Sequence, residues 1–399
     1  MGFDVARIRG LFPALGDGWV HLDAQAGMQV PDSVATTVST AMRAPVSGPR
    51  GLFPSSQRGS AIVDAARRAA ADVVGGDPAG VVLGPGRSEL LTRLADALAP
   101  RLTLGTEVVL SRLDDEANVA PWLRVGDRNG ATVRWAEIDI ETCELPDWQY
   151  DDLVTGATRV VAVTAAASSV GTRPEVRPIA DRAHAVGGLV VVDATSAAPF
   201  LPLDLEAMGA DVVALCGSSW GGPPVGALVF RDPALLEELP SCSLDPEARG
   251  PERLELGRHA HAMLAGLVAS VEHLSTLDDT ATGSRRARLL TSMASVKAYQ
   301  AGLLSHLLAS LRALPEVMVL GDPMRRVPMV SFTVADVPAA DVVQRLVDNG
   351  ICAFPSAPGN RVFEALGVTE IGGAVQLGLA HYTTAAEVDQ VVRTVASLG

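Results

Sequence analysis

Short, mostly apolar segments recur between residues 81 and 230 of this 399-residue chain, and segments with helical periodicity separate them. Strands are predicted at residues 81–83, 107–111, 132–138, 159–164, 189–193, 212–216 and 225–230. Near-continuous apolar strands that alternate with helices are typical of a mainly parallel sheet covered by helices on both faces. The sequence therefore predicts an α/β fold built on a mainly parallel, seven-stranded sheet.

The chain is long enough for two domains, because single hydrophobic cores stop growing at roughly 250–300 residues. Helices are predicted at residues 32–42, 61–74, 90–98, 179–186, 233–238, 262–274, 285–314, 339–349 and 385–397, with one starting near 113, and three more strands at 317–320, 327–334 and 374–380. Pro31-Asp32-Ser33 predicts capping of the first helix by a side chain. The Gly-, Pro- and Ser-rich residues 43–58 predict an irregular loop. We predict an N-terminal segment (1–20) that packs with the small domain, a large α/β domain (21–280) and a small α+β C-terminal domain (281–399).

Composition excludes several functions. A net charge of −14 and a pI near 4.9 argue against a basic face that binds nucleic acid or anionic lipid. No apolar run approaches the roughly 18 residues that span a bilayer, so we expect a cytoplasmic protein and no membrane contact. The four cysteines show neither CxxC nor zinc-finger spacing, and we expect reduced thiols without a structural metal.

The chain contains a single lysine, Lys297, and every other basic residue is arginine. Any lysine-dependent chemistry must therefore use Lys297. Its position in the middle of a long predicted helix favours a solvated surface side chain.

Small polar residues follow several of the predicted strands. Gly86, Asp115, Ser168, Asp193 and Ser219 all lie at or just beyond a strand's carboxyl end. Ligands of parallel α/β sheets bind at this edge. We therefore expect these five residues to come together in the candidate site.

The turn from Gly84 to Glu89 joins a strand to a helix and contains Gly84 and Gly86. Free amides and the helix dipole make such a turn suitable for binding an anion. An ordinary capped strand–helix turn has the same sequence appearance, and both interpretations stay open. Cys216 lies on a predicted buried strand, where thiols are usually inert. His259 and His261 flank a predicted helix start and have no nearby acid pattern that fixes a metal or a triad.

Several motifs resemble the cysteine-desulfurase-like branch of the class V aminotransferases, which have the fold type I PLP-transferase fold. The most specific is Leu-Asp-Asp-Glu-Ala-Asn-Val-Ala-Pro-Trp at residues 113–122, where relatives have His in place of the second Asp. The others are Val192-Asp193-Ala194, Gly222-Pro223-x-Val225-Gly226 and the segment from Gly378 to Asp389. The resemblance covers nearly the whole chain. It implies pyridoxal phosphate (PLP) as the ancestral cofactor and a homodimer as the assembly.

The chain departs from the family pattern at the chemically important positions. The lysine that binds PLP as a Schiff base corresponds to Ser219, and a hydroxyl cannot form an imine. The histidine that stacks on the cofactor ring corresponds to Asp115, and an Asn near the ring hydroxyl corresponds to Ser168. The arginine that binds the substrate carboxylate corresponds to Gln376. The resemblance thus predicts that covalent PLP binding is lost.

Other positions keep polar residues that the family uses for its cofactor. Asp193 matches the carboxylate that pairs with the pyridine nitrogen, and Ser88 matches a phosphate-binding Thr. Arg258 matches a Thr that reaches the phosphate in the neighbouring subunit. The remaining cofactor-binding positions implied by the resemblance are Gly86, Arg87, Ser196 and Ser218. Without a pyridine ring, Asp193 needs another partner or an ordinary hydrogen bond at its strand end.

Two hypotheses follow. In the first, the chain is a pseudoenzyme with a ligand-binding or assembly role. In the second, it is an aminotransferase- or lyase-type enzyme that holds PLP or another small phosphorylated ligand non-covalently through Ser88, Arg258 and Asp193. The sequence identifies neither the physiological ligand nor the partner of Asp193.

Overall fold

A computed structural model describes residues 2–49 and 51–398. Met1, Arg50 and Gly399, which belong to the predicted N-terminal segment, the predicted loop and the predicted C-terminal domain, lie outside the described residues.

Helices and strands alternate along most of the chain. The helices are α1 (Val5–Arg9), α2 (Asp32–Arg43), α3 (Pro54–Val74), α4 (Arg87–Leu98), α5 (Glu116–Asn129), α6 (Tyr150–Leu153), α7 (Val176–Ala185), α8 (Leu205–Met208), α9 (Leu235–Glu238), α10 (His261–Ser275), α11 (Arg285–Arg312), α12 (Ala339–Asp348), α13 (Arg361–Ala365) and α14 (Ala385–Ala396). The strands are β1 (Val20–His21), β2 (Val81–Gly84), β3 (Glu107–Ser111), β4 (Thr132–Ala136), β5 (Thr158–Thr164), β6 (Leu189–Asp193), β7 (Val212–Cys216), β8 (Gly226–Phe230), β9 (Val317–Val319), β10 (Met329–Val334), β11 (Ile351–Cys352), β12 (Phe354–Pro355) and β13 (Val375–Gly378). No helix in the described ranges combines the length and the hydropathy needed to cross a bilayer.

The central sheet has seven strands in the order β2-β8-β7-β6-β5-β3-β4. The strands from β7 to β4 pair in parallel, and β8 runs antiparallel to both of its neighbours. The predicted mainly parallel, seven-stranded sheet is therefore confirmed. Six of its strands point their carboxyl ends toward the same edge, because β2 and β7 are both antiparallel to β8.

Each face of this sheet is covered by helices. On β3, Val109 faces a core that includes α3, α7 and α10, whereas Val108 faces a core that includes α4 and α5. Neighbouring strand residues point to opposite faces, so both must be apolar when both faces are buried. The burial of both faces of the sheet explains why the strands are almost entirely apolar.

The C-terminal part forms a second, antiparallel sheet in the order β12-β13-β10-β9. A separate core includes side chains of this sheet together with α11, α12 and α14. The short strand β1 pairs in parallel with β11. Arg9 of α1 donates to the carbonyl oxygen of Tyr382 at 2.7 Å and pairs with Glu387 at 2.9 Å.

Two local predictions are wrong. Helix α3 starts at Pro54, inside the predicted loop of residues 43–58, because proline suits the first turn of a helix. Ser56 looked like a loop residue, yet its buried hydroxyl donates to the carbonyl of Gly48. Helix α2 has Pro31 at its N-cap and no side-chain capping bond, so the predicted capping by a side chain is absent.

Candidate functional site

Arg87 is the first residue of α4 and lies where the carboxyl ends of the central strands meet. Its Nη1 donates to Oδ2 of Asp193, and its Nη2 donates to Oδ2 of Asp115 at 2.8 Å. One guanidinium therefore links two of the carboxylates that the sequence placed at this edge. The partner of Asp193 is an arginine of the same chain.

The backbone of Gly226 makes this position of Arg87 possible. A Cβ at Gly226 would lie 2.4 Å from the carbonyl carbon of Gly86 and 2.7 Å from the amide nitrogen of Arg87. Real Cβ atoms do not approach backbone atoms so closely. The glycine in β8 thus lets the turn between β2 and α4 pack directly on the neighbouring strand.

The second oxygen of each carboxylate also accepts a hydrogen bond. Asp193 ends β6 with 1 % of its surface exposed, and its Oδ1 accepts from the amide of Thr195 at 3.0 Å. Asp115 precedes α5, and its Oδ1 accepts from the hydroxyl of Ser168 at 2.8 Å. We call the hydrogen-bonded residues Ser168, Asp115, Arg87 and Asp193 the Arg87 cluster.

The side chain of Arg87 stays positively charged. Burial opposes the charged form most strongly, but Asp193 and Asp115 outweigh it and raise the pKa of Arg87 above its ordinary value. One cation between two anions leaves the cluster with a formal charge of −1. Buried charges that are paired and hydrogen-bonded in this way favour a rigid arrangement.

Asp114 is a buried acid beside this cluster that the sequence analysis did not single out. Burial raises its pKa to about 7, hydrogen bonds from Ser111 and Asn118 oppose the rise, and the charge of Asp193 adds to it. Asn118 Nδ2 donates to Asp114 Oδ1 at 2.6 Å, and the Ser111 hydroxyl donates to Oδ2. The position of Asp114 three residues after the buried strand β3 was the available sequence signal.

Ser219 lies in a 3₁₀ turn, Gly217–Trp220, between β7 and β8. Its hydroxyl donates to the carbonyl oxygen of Cys216 at 2.9 Å, so it stabilises its own turn. The thiol of Cys216 lies 3.2 Å from the hydroxyl of Ser218 and is only partly buried. Cys216 lies near Arg87.

The other predicted site residues are spread more widely. Ser88 and Arg258 are exposed, and Arg258 lines a surface groove of about 430 Å³ together with Gly84 and Pro85. Ser196 is half-buried and follows Asp193 by three residues. Gln376 lies on β13 of the small sheet, where its carbonyl oxygen accepts from Gln25 at 3.4 Å.

Lys297 is exposed on α11, in agreement with the surface position predicted for it. It lines a groove of about 300 Å³ with Phe200, Gln300 and Arg326. This groove involves residues of α11 and of the chain that leads into β10.

His381, which lies in the motif segment from Gly378 to Asp389, contacts helix α10. Its Nε2 lies 3.5 Å from Nε2 of His273 on α10, and its ring packs near Phe12 and Tyr382. Burial lowers the pKa of His273 to about 4 and lowers that of His381 well below its ordinary value. Both rings are therefore neutral at pH 7, and both pack against Phe12.

Comparison with known proteins identifies the fold and its ancestry. The class V aminotransferase family model matches residues 20–391. The chain belongs to the class V aminotransferase family. The resemblance predicted from the motifs is thereby confirmed.

Relatives and solved structures within this family cover almost the whole chain. An uncharacterized protein of Mycobacterium tuberculosis, MT3887, is 55% identical over the full length of both proteins. Aminotransferase-like protein FGM3 of Gibberella zeae is 28% identical over 98% of this chain and 97% of its own. The crystal structure of the cysteine desulfurase CsdA from Escherichia coli has a TM-score of 0.83 at 24% identity and covers 98% of each chain. An apo cysteine desulfurase from Thermococcus onnurineus has a TM-score of 0.88 at 21% identity over 100% of this chain and 98% of its own. These structures confirm the predicted fold type I PLP-transferase fold.

Proposed function

We propose that this class V aminotransferase-family protein has lost covalent PLP catalysis and acts as a binding or assembly protein. The observation that carries the proposal is the Arg87 guanidinium between Asp193 and Asp115. In the family pattern Asp193 matches the carboxylate that pairs with the cofactor's pyridine nitrogen. In this chain an arginine supplies the positive partner.

The residues of the cluster do not fit the ancestral cofactor. A pyridine ring could pair with Asp193 only after Arg87 left that carboxylate. The displaced guanidinium of Arg87 would lose one of its two carboxylate partners, and loss of one partner of a buried ion pair costs about 3–5 kcal/mol. Asp115 also offers no aromatic face for stacking.

The chain also lacks an amine in the hairpin that connects β7 to β8. Ser219 holds the matching position and donates its hydroxyl to the backbone of its own turn. The single lysine of the sequence, Lys297, is exposed on α11. These two facts support the loss of covalent cofactor capture.

An assembly role is supported by an apolar surface on α2. Val30, Val34, Val38, Met42 and Pro223 line an open groove of about 500 Å³. Met42 is 70% exposed, and exposed apolar patches on soluble proteins mark interaction surfaces. We propose that a second copy of this chain covers it, as the homodimer expected from the family resemblance would.

The oligomeric state can be measured by sedimentation equilibrium. We expect a dimer for the wild-type chain and a shift toward monomer for Met42→Glu. Met324→Glu is the matched control, since Met324 is 95% exposed but lies in the groove beside Lys297. A monomeric wild-type protein would disprove the homodimer.

Loss of covalent capture is tested by incubation with PLP, borohydride reduction and intact-mass measurement. With one equivalent of PLP, too little to label exposed amines, we expect no mass increase for the wild-type chain. The variant Ser219→Lys with Arg87→Ala serves as a positive control, because it restores an amine and removes the competing guanidinium, and circular dichroism checks that this destabilised variant is folded. A wild-type adduct that Lys297→Ala abolishes would refute the proposal.

Exposed Arg258 favours a second candidate, non-covalent binding of a phosphorylated ligand in its groove. Thermal shift with PLP, pyridoxamine phosphate and nucleotides tests this candidate, because a ligand at a hundred times its dissociation constant adds about 2.7 kcal/mol of stability. A shift that Arg258→Ala removes would support it. No shift with any of these ligands would reject it.

A further inference from the structure

Three side chains of different chemistry meet on one face of the β1–β11 pair. His21 and Cys352 are register partners in this parallel pair, so their side chains point to the same side. Asp23 follows His21 by two residues and forms an isolated parallel bridge with Gly378. One ligand atom from each of His21, Asp23 and Cys352 lies within 4.8 Å of the other two.

The burial pattern supports the placement of these three side chains on one face. Val20 and Leu22 are buried, as is Ile351, and they form the core side of the pair. His21 and Asp23 alternate with them and keep 10% and 22% of their side-chain surface exposed. The three polar side chains therefore face a solvent-accessible space rather than the hydrophobic core.

Neighbouring groups select one tautomer of His21. The Gln29 amide nitrogen lies 3.2 Å from Nδ1 of His21, and an amide N–H can only donate, so Nδ1 must carry a lone pair. Nε2 of His21 lies 3.2 Å from Oδ2 of Asp17 and therefore carries the proton. The lone pair on Nδ1 lies 3.9 Å from Oδ1 of Asp23.

We propose that His21 Nδ1, the Asp23 carboxylate and the Cys352 thiolate bind one Zn²⁺ ion, with water in the fourth position. Zinc takes nitrogen, oxygen and sulfur ligands at about 2.0–2.3 Å in tetrahedral geometry, which puts ligand atoms roughly 3.3–3.6 Å apart. The observed separation of Nδ1 and Oδ1 requires a closure of only about half an ångström. Gln29 turns away when the ion takes the lone pair, and the thiol proton is released to solvent.

Asp17 completes the arrangement without contacting the ion. A zinc-bound histidine usually donates its other ring N–H to a carboxylate, which fixes the ring and strengthens the ligand. The contact between Asp17 and Nε2 of His21 supplies this interaction. The ion would join the N-terminal segment to the small domain through ligands that are more than 300 positions apart in the sequence. Sequence spacing gave no sign of such a site, and we had expected no structural metal.

Cobalt(II) is the probe of choice, because a cobalt–thiolate bond gives a charge-transfer absorbance band. The untagged, full-length chain is treated with a chelator, desalted and titrated with Co²⁺. We expect one equivalent to bind with this band, and Zn²⁺ to abolish it by displacement. Cys352→Ser should lose the band, whereas the matched control Cys242→Ser, at an exposed cysteine, should keep it.

A second pair of variants guards against misfolding. Asp23→Asn keeps the thiol and removes a carboxylate ligand, and we expect it to weaken Zn²⁺ binding at least tenfold in a competition titration with a chromogenic chelator. Asp17→Asn should weaken binding by about 10–100-fold, since it changes only the partner of the imidazole. Circular dichroism of the metal-free variants checks that the fold is retained. Absence of the band in the wild-type chain, its survival in Cys352→Ser, or unchanged zinc affinity in Asp23→Asn would overturn the proposal.

Discussion

Replacement of Arg87 by alanine should destabilise the protein strongly at neutral pH. Asp193, with 2% of its side chain exposed, would keep one hydrogen bond from the Thr195 amide and lose its only neutralising partner within the cluster. Asp115 is 26% exposed and can be solvated, so most of the loss falls on Asp193. An uncompensated buried charge costs about 3–5 kcal/mol. We therefore expect the free energy of unfolding of Arg87→Ala to fall by that amount at pH 7.

Urea denaturation followed by circular dichroism measures this loss. The double variant Arg87→Ala with Asp193→Asn should recover most of it, because no buried charge then lacks a partner. Ser219→Ala, which removes one turn hydrogen bond, is the control and should cost about 1 kcal/mol. A loss below about 1 kcal/mol in Arg87→Ala, or an equal loss in the Asp193→Asn background, would refute the account of the cluster.

Three further predictions concern two buried titratable groups and one close backbone contact. Burial raises the pKa of Asp114 to about 7, so its contribution to stability is present below about pH 4 and is lost as pH rises through 7. Between pH 4 and 7, Asp114 should lower the free energy of unfolding of the wild-type chain by about 4 kcal/mol. Asp114→Asn should remove this decrease, and urea denaturation across that pH range measures it. Burial lowers the pKa of His273 to about 4, so its contribution is present above pH 6.5 and is lost as pH falls toward 4. His273→Leu should make the decrease in the free energy of unfolding between pH 6.5 and 4 smaller by about 3 kcal/mol. A decrease equal to that of the wild-type chain would contradict the assignment. Gly226→Ala should cost about 1–3 kcal/mol, because its methyl group would collide with the backbone of Gly86, and a melting temperature equal to that of the wild type would show that the turn can move freely.

Much of the fold could be predicted because both faces of the central sheet are buried. Strands such as Leu189–Asp193 begin with four consecutive apolar residues, which gives a clear sequence signal. The predicted start of α3 and the predicted capping of α2 were less accurate. Pro54 and the serines after it have a loop-like composition, and only the tertiary contacts of Ser56 show why they are helical.

The site was predicted as a set of residues but not as a network. The convergence of Asp115, Ser168 and Asp193 follows from the direction of parallel strands, and the structure joins all three. The link itself, Arg87, was assigned to cofactor binding by resemblance alone. A side chain that turns inward from a helix start has no periodic signal in the sequence, so its partner could not be deduced. The same holds for Cys352, which reaches His21 only through pairing between distant strands.

The central claim is that an arginine of this chain takes the place that the family gives to its cofactor ring. A crystal structure of the protein grown with excess PLP tests it most directly. We predict continuous density from Arg87 between Asp193 and Asp115, with no ring beside either carboxylate. A pyridine ring paired with Asp193, with Arg87 displaced, would contradict the account.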